Sequence, residues 1–92
     1  MNKQEFVEWI GTVEERYMYM LLSRMQQDCE YYLGYGGRCE ERLWAGSVNQ
    51  QIEFMRILYD SVPEKPEWLS LEDIKQYELA MKAELIFTLN VN

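Results

Sequence analysis

Leu33-Gly34-Tyr35-Gly36-Gly37-Arg38 decides how this chain folds, because its three glycines stop one helical pattern just before another begins. Glycine tolerates the positive φ that closes a helix, so the run reads as a stop followed by a turn. Upstream, residues 2–33 hold no proline and a single glycine, Gly11. Apolar residues recur there as Phe6, Ile10, Val13, Tyr17, Met20 or Leu21, Met25, Cys29 and Tyr32. Those steps of three and four keep one stripe of a helix facing inward. A single helix of that length runs for more than about 40 Å, longer than a compact domain of 92 residues with a radius of gyration of roughly 12 Å is wide. Either the chain bends at Gly11, or a second copy of the protein covers part of the stripe.

Downstream, residues 38–61 carry Leu43, Val48, Ile52, Met55 and Tyr59 at helical steps, with Trp44 and Leu58 beside them. A short loop between two helices favours an antiparallel hairpin. Gly46-Ser47 marks a kink or a close backbone approach. Val62-Pro63-Glu64-Lys65-Pro66-Glu67 ends the second helix, since proline cannot continue it. Trp68 and Leu69 are expected to anchor onto the core. Ser70-Leu71-Glu72-Asp73 reads as a helix start, a serine cap with an acidic residue three positions on. The third helix carries Leu71, Ile74, Tyr77, Met81 and Leu85 and ends near 87, and the tail 86–92 frays or pairs as a strand with a partner. Met18, Met20, Met25, Met55 and Met81 read mostly as core filler. The expected fold is all-α, one domain over 1–92: a long helical hairpin (about 2–33 and 38–61) with a third helix (about 71–87) packed across it.

Sixteen acidic against nine basic residues give a net charge of −7. Nucleic-acid binding draws most of its affinity from cations on phosphates, and anionic membranes repel an acidic surface, so neither is an expected partner. A basic protein surface is favoured instead. Histidine is absent, which removes the commonest general base and metal ligand. Without a phosphate-loop, dinucleotide or zinc motif either, no enzymatic activity, cofactor or metal is expected. Cys29 and Cys39 cannot fill a structural zinc site within one chain and read as structural thiols, reduced in a cytoplasm. No apolar run reaches the ~18 residues of a membrane span, and the N-terminus lacks a secretory layout. A cytoplasmic protein is the expectation.

One stretch concentrates binding chemistry. Tyr31, Tyr32, Tyr35, Arg38, Arg42 and Trp44 surround the glycines, and Tyr, Trp and Arg are the side chains most enriched at binding hot spots. They form either a partner surface at the hairpin tip or a small core, with the arginines paired to Glu40, Glu41 and Asp28. Glu5, Glu8, Glu14 and Glu15 line the outer face of the first helix, as a solvated face or as an imitation of a phosphate backbone.

Several short words of the chain resemble those of a known family. Leu22-Ser23-Arg24-Met25-Gln26, Asp28-Cys29-Glu30-Tyr31, Leu33-Gly34, Gly36, Arg38, Leu43-Trp44-Ala45-Gly46, Val48 and Pro63-Glu64-Lys65-Pro66-Glu67-Trp68-Leu69 resemble a large polyvalent protein-associated domain, the eleventh of that series, over about residues 20–82. The resemblance implies an accessory module of phage or conjugative elements working in a bacterial cytoplasm, with no catalytic residues to carry over. By analogy with small acidic proteins of such elements, the expected function is to bind and inhibit a host defence protein, such as a CRISPR nuclease with a basic groove. The alternatives are a binder that sequesters an anionic nucleotide with Arg24, Arg38 and Arg42 at a dimer interface, and a scaffold of conjugation or replication machinery.

Overall fold

The computed structural model describes residues 1–91, with side chains through Ala83. Four α-helices follow in order: α1 (Lys3–Ile10), α2 (Glu15–Leu33), α3 (Val48–Ser61) and α4 (Leu71–Val91), with a short 3-10 turn at Glu40–Arg42. No strand occurs among the described residues. The all-α expectation therefore holds, but the helix count rises from three to four.

The first expected helix is two. α1 stops at Gly11, and the chain turns through Thr12 and Val13 before Glu14 opens α2 in an extended conformation. Thr12 assists the turn by donating from its hydroxyl to the Trp9 carbonyl at 2.7 Å. Bending lets α1 fold back onto α3, so its own chain covers Phe6 and Ile10. At its start, Asn2 and Glu5 exchange hydrogen bonds with each other's backbone N–H, a reciprocal cap that satisfies two otherwise orphaned donors.

The second expected helix also starts later. Residues 39–47 form the 3-10 turn and a loop, because Gly46 takes the left-handed φ of +86° and Ser47 then caps α3 through Gln50 N–H. Ser70 and Asp73 cap α4 as the sequence predicts. That helix passes the expected end near 87 and carries the backbone to Val91, so residues 86–91 are helical rather than a strand; Asn92 lies outside the described residues.

α3 is the central element and packs against the other three helices. Its Ile52, Phe54, Met55 and Leu58 are fully enclosed with Phe6, Leu22, Met25, Leu69 and Ile74. The molecule measures 48 × 28 × 19 Å, and its radius of gyration of 13.8 Å exceeds the expected one because it is elongated. Of the two residues expected to anchor the second loop, Leu69 is buried while Trp68 is exposed. The loop is instead pinned by Tyr19, whose hydroxyl donates to the Glu64 carbonyl and accepts from Glu64 N–H. Met25, Met55 and Met81 are core filler, but Met20 is exposed and Leu21 takes the inward position.

Candidate functional site

The last turn of α2 and the glycine run build a braced tip. Gly36 N–H donates to the Tyr31 carbonyl at 2.6 Å, and Arg38 N–H to the Tyr32 carbonyl at 3.2 Å. Gly36 is required here: a Cβ would sit 2.7 Å from the Tyr31 oxygen and 2.8 Å from its ring. Gly37 and then Arg38 adopt left-handed φ values of 64° and 56°. That costs a non-glycine residue roughly 1 to 2 kcal/mol. Arg38 holds it while its guanidinium donates to the carbonyls of Ala80 and Met81 at 2.8 and 3.2 Å and lies over the Tyr32 ring. The tip is thereby tied to α4.

This bracing divides the six predicted tip residues. Tyr32 is buried and Arg38 is turned to α4. Trp44 is half-buried in an aromatic cluster, stacked on Trp9 and edge-on to Phe6 and Phe54. Its backbone N–H donates to Asp28 at 2.9 Å. Tyr31, Tyr35 and Arg42 remain on the surface, with Tyr35 95 % exposed. Arg42 lies over the Tyr31 ring and donates to its hydroxyl. Of the carboxylates expected to pair with Arg38 and Arg42, Asp28 bonds Arg24 instead, and Glu40 accepts from Val48 N–H at the start of α3.

The acidic residues Glu5, Glu8, Glu14 and Glu15 are all exposed, but they do not form one line, because the bend separates the first two from the others. Glu5 caps α1, and Glu14 and Glu15 open α2 at the end opposite the tip.

Two polar residues that organise the site were not legible as such. Gln51 is fully buried, accepting from Ala45 N–H and donating to the Met25 carbonyl, so it joins α2 to the loop that carries Trp44. Its one sequence signal is an amide on an apolar helical stripe. Tyr77 bridges α4 to α2 by donating to Glu30 and accepting from Gln26. Burial first, then the nearby Glu30 carboxylate, push its phenol up to about 12, with Gln26 opposing. Cys29 and Cys39 are free thiols. Burial and the adjacent Asp28 push Cys29 up to about 12, with Gln51 opposing, so it stays neutral and unreactive.

A cleft of about 490 Å³ lies between α1, α3 and α4, lined by Lys3, Glu53, Arg56, Asp60 and Glu78 among others. Glu78 bridges Arg56 and Lys82 there at 2.9 and 3.0 Å, which occupies much of its charge.

No helix among the described residues is long and apolar enough to cross a membrane. Residues 15–81, more than half of the chain, match the family model of large polyvalent protein-associated domain 11. Neither a curated protein nor a solved structure matches the chain significantly. The words that carry the family resemblance fall largely on the braces just described: Asp28 on the Trp44 backbone, Gly36 against Tyr31, Arg38 on α4 and Glu64 on Tyr19.

Proposed function

Because the chain belongs to the large polyvalent protein-associated domain 11 family, we propose that it is a non-enzymatic accessory protein of a phage or conjugative element that acts by docking onto another protein. The partner we favour is a host defence protein in the bacterial cytoplasm, such as a CRISPR nuclease with a basic groove. One observation supports this above the rest: Tyr35 stands 95 % exposed on a tip held by backbone bonds and by Arg38. A large exposed aromatic on a pre-organised turn loses little entropy on binding, and Tyr and Arg dominate binding hot spots. With a net charge of −7, the surface adds long-range attraction to a basic groove.

The nucleotide-sequestering alternative requires Arg24, Arg38 and Arg42 to converge. Each already has a partner in the fold, Asp28, the α4 carbonyls and Tyr31 respectively, which favours the protein-binding reading.

Cleavage by purified CRISPR nucleases, with calorimetric titration of the chain into each, tests the proposal. Inhibition that weakens at least about tenfold in Tyr35→Ala, with the melting temperature unchanged, is expected for a lost anchor. Binding should also weaken as salt rises. No binding or inhibition across the panel removes the nuclease assignment, and heat from a cyclic nucleotide would instead support sequestration.

A further inference from the structure

α1 precedes the family-matched residues 15–81 and seats on them through an aromatic groove. Phe6 stacks on Phe54 with ring centroids 4.1 Å apart, and Trp9 lies on Trp44 with Tyr17 edge-on to it. We infer that two copies of this chain exchange α1, each seating its Phe6, Trp9 and Ile10 in the Trp44–Phe54 groove of the other, while residues 3–33 straighten into one helix.

Three features of the joint carry this. Gly11 already has helical angles, φ −65° and ψ −13°, so the bend lies beyond it. Glu14 is extended, with φ −69° and ψ 148°, and opens α2 without any side-chain cap, so no capping bond fixes the helix start at that position. The apolar residues Phe6, Ile10, Val13, Tyr17 and Leu21 keep steps of three and four across the joint, in phase for a single helix. A fused helix would replace the turn bonds Thr12 N–H to Trp9 and Val13 N–H to Ile10 with a continuous ladder. Exchange conserves every contact of α1 with its groove, so the two forms differ chiefly in these few joint residues. A second copy is therefore the occupant the groove already fits. The closed monomer is favoured when dilute, because its four-residue link holds α1 beside the groove at an effective concentration on the order of millimolar.

Light scattering on the full chain over a wide concentration series tests the exchange. The mass should rise from the 11.1 kDa of one chain toward twice that value. Glu15→Pro separates the forms: proline suits the first position of α2, and Glu14 before it already has the extended ψ that proline demands. Inside a fused helix the same proline removes a ladder bond and clashes, so dimerisation should weaken by at least about a hundredfold. Helical circular dichroism and melting of the monomer should stay as they are. If that variant does not fold, four Gly-Ser residues inserted between Thr12 and Val13 interrupt the fused helix while leaving the closed form the packing of α1 on α3. A mass of one chain at every concentration overturns the inference, as does a dimer that withstands both changes.

Discussion

Gly36 shows how one atom decides the tip. With a Cβ directed 2.7 Å from the Tyr31 carbonyl, Gly36→Ala must push back the last turn of α2. The expected cost is about 1 to 3 kcal/mol, read as a fall in melting temperature of about 4 to 8 °C per kcal/mol. Gly37 has open space around it, so Gly37→Ala carries only the strain of its left-handed φ and should cost less. Equal losses at the two positions would contradict the close approach. The cysteines differ in the same local way. Cys39 is half-buried, while Cys29 is enclosed and its thiol is held neutral up to about 12. A thiol reagent should label the native chain once, at Cys39, and a second time only after unfolding. The tip's composition was legible in the sequence. Which of its residues face solvent was not, because Tyr31 and Tyr32 are chain neighbours distinguished only by burial, Tyr32 lying enclosed beneath Arg38.

At the level of the elements, caps and periodicity were the readable part. Ser70 with Asp73 announces α4, and the glycine run marks the end of α2, although Gly34 closes the helix at φ −102° and the left-handed angles fall later, on Gly37 and Arg38. The break between α1 and α2 was readable only as one of two options, a bend at Gly11 or cover by a second copy, since the stripe stays in phase across it. Between elements, the Arg56–Glu78–Lys82 cluster ties α3 to α4. The Arg56 hydrogen bond first, then that of Lys82, hold the Glu78 carboxyl below the usual glutamate range. The folded chain thus binds that proton more weakly than the unfolded chain does, and acid favours unfolding. The contribution is present above the ordinary glutamate pKa of about 4.3 and is lost as pH falls through the lower, folded value. Glu78→Gln should therefore lower the melting temperature more at neutral pH than in acid. An equal shift at both would contradict the assignment.

For the molecule as a whole, α3 gathers the other helices, and the Phe6–Phe54 stack fastens α1 to it. Phe6 is fully buried, so Phe6→Ala should cost about 3 to 5 kcal/mol in urea denaturation. That is a large share of the about 5 to 14 kcal/mol expected for a chain of this size, and a loss below 1 kcal/mol would show that α1 is not part of the cooperative unit. By itself the sequence determined the helical class, the stop at the glycines, the α4 start and the acidic balance. Each of these rests on residue type, or on spacings within a few residues, and needs no knowledge of distant partners. Only the tertiary structure decided that α1 folds back, that Trp44 and Tyr32 turn inward while Tyr35 stays out, and that Gln51 is a buried brace. Those outcomes depend on contacts between segments tens of residues apart, where burial of apolar surface and the satisfaction of buried polar groups outweigh local preference.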